Sequence, residues 1–273
     1  MLQVKDIKKA LPNGKELLKG ISFSVKKGEF VGILGPSGAG KTLTMKCLNG
    51  LLKPTSGSVN ITLPNKSQVD IAQIGRKELK HIRQHIGVIF QGFNLVKRLT
   101  ALENVMIGKL GQINLFRSLF YGFTDHEAEQ AMETLKQVKM ETLAHRKVES
   151  MSGGEMQRVA VARAMFQDPI MILADEPIAN LDPSNAKGIL NLLKPLSEKM
   201  PVIGVFHQPE IIKEYCTRVI AIKDGKIFYD GQPNINAQML YQIYEEEFNS
   251  IVSTANFIPA PDMQETLFEL KVS

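Results

Sequence analysis

Residues Gly35–Thr42 read GPSGAGKT and satisfy the spacing G-x-x-x-x-G-K-[ST]. The apolar run FVGIL precedes this loop, and an apolar-periodic segment near Thr42–Leu52 follows it. The pattern predicts a strand, a tight loop and a helix in immediate succession. That succession restricts the chain to an α/β architecture built round a phosphate-binding turn. The loop through Gly35, Pro36, Ser37, Gly38, Ala39 and Gly40 can ring a β-phosphate with backbone N–H groups at a helix N-terminus. Lys41 then reaches the β- and γ-phosphates, and the Thr42 hydroxyl can ligate Mg2+.

A second apolar run, IMILADEP (Ile170–Pro177), ends in two adjacent carboxylates. Its density suits a strand buried on both faces, which delivers Asp175 and Glu176 at its C-terminal end, where open α/β sheets hold ligands. A carboxylate pair at a strand end is by itself compatible with a solvated terminus. Downstream of a phosphate loop it reads as chemistry: Asp175 holds Mg2+, directly or through water, and Glu176 polarises the attacking water as general base. His207 closes VIGVFH in the same manner. Alone it reads as a hydrogen-bonded structural histidine; placed after Asp175 and Glu176 it becomes a γ-phosphate contact that also orients the water. His81 and His85 stand four residues apart in the basic stretch RKELKHIRQH, without a third ligand nearby, and read as part of a charged helix face.

The 273 residues, 44% of them hydrophobic, suffice for one large domain carrying an inserted subdomain. LQVKDI and GISFSV read as strands on either side of an Asn13-Gly14 turn, and SVNITL follows as another. From about Gln91 to Gln167 the period is helical. Alternation then resumes with IMILAD, a helix near 183–198, VIGVF, RVIAI and, after the Asp224-Gly225 turn, KIFYDG. No run approaches the roughly 18–20 consecutive apolar residues of a membrane span, and the N-terminus lacks the apolar core of a signal peptide. A cytoplasmic chain is therefore expected, and since Cys47 and Cys216 lack CxxC spacing, neither a disulfide framework nor a zinc site is expected in it. The net charge of +5 is spread along the sequence instead of gathered into a block, and nucleic acid is not an expected partner.

More than a hundred residues beyond the phosphate loop, MSGGEMQR (Met151–Arg158) opens another helix with paired glycines. Gln91 in VIFQ, Asn180–Asp182 in NLDP and His207 complete an ordered set of six stretches. On these, the chain resembles the ATP-binding subunits of ABC transporters over nearly all of residues 1–231. The resemblance matches GPSGAGKT to the Walker A loop, IMILADEP to Walker B and MSGGEMQR to the signature. Gln91 corresponds to the Q-loop, Asn180–Asp182 to the D-loop and His207 to the H-loop. It implies an ABC-type P-loop NTPase core in residues 1–231, with an antiparallel β subdomain and a helical signature subdomain inserted at about 92–167. Residues 232–273 form a C-terminal tail to which no motif assigns a role.

The same resemblance implies ATP and Mg2+ as ligands, with Thr42, Gln91 and Asp175 around the metal and Gln91, Glu176 and His207 in catalysis. It implies a head-to-tail homodimer in which Ser152, Gly153, Gly154, Glu155 and Asp182 meet the nucleotide held by the partner's phosphate loop. Bare backbone at both glycines lets the helix N-terminus and the Ser152 hydroxyl approach a γ-phosphate. Transmembrane permease subunits would dock beside the Gln91–Lys109 stretch, fed by an external substrate-binding protein. The chain would then sit peripherally on the cytoplasmic face of a bacterial inner membrane. For cargo, FNLVKRLTALENVMIGKLG and GQINLFRSLFYGFTDHEAEQAMETLKQVKM are similar to phosphonate importer ATPases. Leu115, Phe116, Leu119 and Phe120 within the latter predict an apolar helix face. Phosphite, hypophosphite and phosphate importers share enough of this pattern to stand as alternatives. A soluble ABC ATPase uncoupled from transport is a further one, against which stand the single ATPase half, the lack of a heptad stretch, and the presence of Glu176 and His207.

Three positions depart from the family pattern. Met151 and Glu155 stand where leucine and glutamine are usual, and Glu155 adds a negative charge near the partner's nucleotide, which would loosen the closed dimer. Leu11 stands where relatives carry an aromatic residue that stacks on adenine. Base stacking on an aromatic side chain is worth about 1–3 kcal/mol, so Leu11→Tyr should tighten ATP binding by about tenfold or more. Isothermal titration calorimetry reads this directly, and an unchanged affinity would remove Leu11 from the adenine site.

Overall fold

Strands too short to stand alone, yet apolar at nearly every position, must pair in parallel and be covered on both faces. The computed structural model of the chain describes residues 1–113 and 122–245. Leu115, Phe116, Leu119 and Phe120 lie outside the described residues. The strands are β1 (Leu2–Ala10), β2 (Glu16–Val25), β3 (Phe30–Leu34), β4 (Ser56–Thr62), β5 (Gln68–Asp70), β6 (Ile86–Ile89), β7 (Met171–Asp175), β8 (Val202–Val205), β9 (Arg218–Lys223) and β10 (Lys226–Gly231). The α-helices are α1 (Lys41–Leu48), α2 (Arg76–Arg83), α3 (Ala101–Met106), α4 (Asp125–Gln137), α5 (Gly153–Phe166), α6 (Pro183–Ser197) and α7 (Pro209–Tyr215). Residues 237–245 form a further helix, α8.

The strands divide into two sheets. One is four-stranded and antiparallel, in the order β2-β1-β4-β5; the other is six-stranded, in the order β10-β9-β3-β8-β7-β6. In the larger sheet every pairing from β9 to β6 is parallel, and only β10 folds back antiparallel on β9 through the Asp224-Gly225 turn. Successive residues of its strands serve two cores, as the two-residue period requires. Phe30, Ile172, Val202 and Phe206 pack with α5, α6 and the helical segment between β6 and β7. Val31, Leu173, Ile203 and Ile220 pack with α1 and the antiparallel sheet.

Three helices share one device at their starts. Thr100 before α3, Thr124 before α4 and Ser152 before α5 each accept from the backbone N–H three residues on, while Glu103, Glu127 and Glu155 reach back to the capping residue's own N–H. The pattern S/T-x-x-E therefore fixes where each helix begins. The helix expected to run to Leu52 stops at Leu48, because Gly50 takes φ +67 and turns the chain away. Beyond β10, α8 docks on the body: Ile243 is fully buried, and Lys223 Nζ donates to the Gln242 carbonyl at 2.7 Å.

Both cysteines are buried, and burial pushes their thiols up, Cys47 to about 11 and Cys216 to about 12. At the centre of the sheet Phe30 is fully buried, its ring centroid 6.0 Å from that of Phe206. Phe30→Ala should cost about 3–5 kcal/mol of stability through lost burial and the cavity left behind. Urea denaturation followed by circular dichroism measures the loss, and a cost below about 1 kcal/mol would mean that the helices collapse into the gap.

Candidate functional site

Parallel pairing brings four chain segments out of one sheet edge. Ile33 and Asp175 both stand opposite Val205, and Ile89 stands opposite Ala174. The phosphate loop after β3, the acidic pair ending β7, His207 after β8 and Gln91 after β6 are therefore neighbours at the C-terminal edge. Ligands of open α/β sheets bind at such an edge.

The phosphate loop is shaped by glycines that nothing else could replace. Gly35 has φ +147, and a Cβ there would lie 2.0 Å from the Ile222 carbonyl oxygen, which is backbone and has little room to yield. Gly40 has φ +106 and precedes α1, so the first turn of that helix opens directly from the loop. Lys41 is buried and donates to the carbonyls of Gly35 at 2.7 Å and Pro36 at 2.9 Å, spanning its own loop. Thr42 is half-buried in the first turn of α1, and Ser37 and Gly38 are exposed on the loop's outer side. The Gly35 N–H is 3.4 Å from the Tyr244 hydroxyl, which brings α8 onto the loop. Leu11 lies in the turn joining β1 to β2, with 40% of its surface exposed.

Glu176 is the hub of the edge. Its φ of +50 lies in the left-handed region, costly for a residue with a side chain. Gln91 Nε2 donates to one carboxylate oxygen at 2.7 Å, and His207 Nε2 stands 2.8 Å from the other. The three residues read as catalytic from the sequence are thus joined in one hydrogen-bonded group. Beside them, Asp175 Oδ1 is buried and has no hydrogen-bond partner among the described residues. Burial pushes the Asp175 carboxyl upward, the neighbouring Glu176 charge adds to the rise, and Lys46, Lys41 and His207 oppose it.

The signature glycines differ in what they touch. A Cβ on Gly154 would lie 2.5 Å from the Asn185 side chain on α6, so the packing of α5 against α6 requires this glycine. A Cβ on Gly153 would meet only Leu181 at 3.7 Å and Phe93 at 3.8 Å, which is ordinary contact. The chain's own fold therefore accounts for Gly154 and leaves Gly153 unexplained. Ser152 is exposed and caps α5; the Glu155 carboxylate accepts from the Ser152 N–H at 2.7 Å. Asp182 caps α6 by accepting from the Ser184 and Asn185 N–H groups at 3.1 Å, and the Asn185 side-chain hydrogen bond holds its carboxyl below the usual range.

Sequence reading missed Asn185, Gln157 and Tyr244. Gln157 is buried in α5 and donates to the Pro177 carbonyl at 2.6 Å. The only sequence signal for it was a polar residue at an otherwise apolar face of α5. His81 and His85 stack edge to face at 5.5 Å, and among the described residues no three His, Cys, Asp or Glu side chains gather into a metal-binding group.

The shift at Asp175 has a consequence for stability. A carboxyl whose native pKa is raised favours the folded state while protonated, and that contribution is lost as pH rises through the native value. Asp175→Asn should therefore melt higher than wild type near neutral pH, measured without metal or nucleotide, and the difference should shrink as pH falls. A lower melting temperature at neutral pH would contradict the unfavourable burial of this charge.

The sequence profile of the ABC transporter family matches residues 18–179. The phosphonates import ATP-binding protein of Treponema denticola is 40% identical over 245 residues, covering 89% of this chain and 94% of the relative. A phosphonates import ATP-binding protein of Oceanobacillus iheyensis is 38% identical over 244 residues, covering 89% and 92%. Among solved structures, a dimeric ATP-binding cassette in a post-hydrolysis state bound to ADP and Pi is 34% identical, with a TM-score of 0.72 over 86% of this chain and 100% of that one. A nucleotide-free ATP-binding cassette from an ABC transporter gives a TM-score of 0.73 at 29% identity, covering 90% and 95%. The chain, with its phosphate loop, acidic strand end and signature helix on this fold, belongs to the ABC transporter family as an ATPase, alongside the phosphonates import ATP-binding proteins.

Proposed function

We propose that this ATPase drives phosphonate import, working as a head-to-tail homodimer beneath transmembrane permease subunits that an external binding protein supplies. The observation that carries the hydrolysis is the Gln91–Glu176–His207 group, held at 2.7 and 2.8 Å beside Asp175 at the strand edge that also bears the phosphate loop; the cargo is supported by the 40% and 38% identity to phosphonates import ATP-binding proteins. Glu176 takes a proton from water as that water attacks the γ-phosphorus of ATP. His207 holds the γ-phosphate and the water in line, and Lys41 swings from its loop carbonyls to the β- and γ-phosphates. The bond to the β-phosphate oxygen breaks, leaving ADP and phosphate.

The site suits a divalent cation, since the buried, unpartnered Asp175 oxygen has charge to offer and nothing to receive it. Asp175, Thr42 and Gln91 would hold Mg2+, which when bound offsets charge on the β- and γ-oxygens. Because the Gln91 nitrogen donates to Glu176, its carbonyl oxygen would be the atom offered to the metal. Ser152, Gly153, Gly154 and Glu155, with Asp182, are assigned to the nucleotide of the partner subunit. The room left at Gly153 supports that assignment, because bare backbone there serves nothing within one subunit.

Beside Gln91 lies a groove of about 350 Å3 lined by Leu51, Arg83, Phe90, Asn94, Gly108 and Arg163. It lies between β6 and the helical segment, the place assigned to the permease's docking helix. Residues 1–231 act as the motor unit, with about 92–167 as its moving signature subdomain and 232–273 as an appended tail. No helix among the described residues is long and apolar enough to cross a membrane; a peripheral place on the cytoplasmic face of the inner membrane belongs to the importer reading.

The test is ATP hydrolysis by the complex copurified from native membranes, assayed with its binding protein against alkylphosphonates, phosphite, hypophosphite and phosphate. Stimulation confined to alkylphosphonates is expected. Stimulation by phosphite or phosphate instead would keep the motor and replace the cargo. A rate indifferent to every ligand, with no permease copurifying, would point to an ATPase uncoupled from transport.

A further inference from the structure

Gln157 lies one turn into α5 from the two signature glycines and is 1% exposed. Its Nε2 donates to the Pro177 carbonyl, while its Oε1 is buried without a hydrogen-bond partner among the described residues. Enclosing an amide with an unmet acceptor is unfavourable, but an apolar side chain of equal length would instead leave the buried Pro177 carbonyl without this donor. The hydrogen bond therefore does more than fill space, because it ties α5 to another segment of the chain.

Its acceptor indicates what that is. Pro177 follows Glu176 directly, and the Glu176 backbone at φ +50 holds its conformation only where surrounding contacts impose it. On one side this turn is anchored by β7. On the other, the first turns of α5 lie against it: Gly153 faces Leu181, Gly154 is closed over by Asn185, and Gln157 grips the Pro177 carbonyl.

We propose that Gln157 is a positioning residue for ATP hydrolysis, tying the signature helix to the strained turn that carries Glu176 so that the aim of the base follows the position of that helix. The inference rests on the reading of Glu176 as general base. Gln157 acts through the Pro177 carbonyl. In a dimer whose signature helix closes on the partner's nucleotide, the base of each subunit thereby answers to the occupancy of the other site.

Steady-state hydrolysis by the full-length chain tests this with three substitutions. Gln157→Met keeps length and apolar bulk but removes the donor. The expected result is a roughly ten- to hundredfold fall in kcat, a KM for ATP within about twofold of wild type, and a melting temperature lowered only modestly by the unmet Pro177 carbonyl, with the chain still folded at the assay temperature. Gln157→Glu supplies a donor only while its carboxyl is protonated, and burial raises that pKa. Its kcat should therefore approach wild type at acid pH and decline as pH rises, an alkaline limb that the wild type lacks. A wild-type kcat in Gln157→Met, a loss of kcat that only tracks a lower melting temperature, or a Gln157→Glu profile superimposable on wild type would each overturn the proposal. Glu176→Gln separates the two readings. If it hydrolyses ATP at the wild-type rate, the general-base assignment fails and the positioning role with it; if it is inactive while Gln157→Met is unimpaired, only the positioning role is lost.

Discussion

Everything at the ATP site depends on β8, four residues long, buried throughout, and hydrogen-bonded in parallel to β3 on one side and β7 on the other. A shift of that register by one residue would turn each strand's side chains to the wrong face and carry the phosphate loop away from the acidic pair. The strand is kept narrow at Gly204, where a Cβ would lie 2.5 Å from the Phe206 ring. Phe206 uses that space to pack on Phe30, so the central core and the alignment of the loops at this edge are secured by the same contact.

The edge that results concentrates unfavourable features. Asp175 has a buried oxygen without a partner among the described residues, Glu176 has a left-handed backbone, and Gly35 and Gly40 take conformations that favour glycine. Such features persist at functional sites because the surrounding structure over-determines them. Here the support comes from strands whose alternate residues feed two separate apolar cores, and from helices whose starts are fixed by side-chain caps. Arg218 adds to it by pairing with Asp230 on β10 and with Glu29 just before β3, joining the far side of the sheet to the start of the central strand.

Much of this was legible from residue order because it is local. A phosphate loop, a capping box and a strand buried on both faces each occupy fewer than about ten consecutive residues, and GPSGAGKT, SGGE and IMILAD each announce one. Position within the ordered set of motifs extended the reading to Gln91 and His207. The remainder could not be read, because it arises between segments. Gln157 meets Pro177 across 20 residues of sequence, and Tyr244 meets Gly35 across 209. Nothing in SGGEMQR distinguishes a glycine required by Asn185 from one with space around it; only the approach of α5 to α6 does. The short elements β5 and α7 carry too few residues for a period to emerge.

The two native thiols have a practical consequence. Cys47 sits in the helix that opens from the phosphate loop and Cys216 just after α7, and both are buried in apolar surroundings that suppress the thiolate. Alkylation and disulfide exchange proceed through the thiolate, so neither sulfur competes for a thiol-directed probe at neutral pH while the chain is folded. Spin labels or fluorophores can thus be attached at cysteines introduced on exposed positions of the loop and the signature helix, with the native sequence otherwise intact. Movement of the labelled positions then becomes measurable through a turnover cycle without first stripping the protein of its own sulfur.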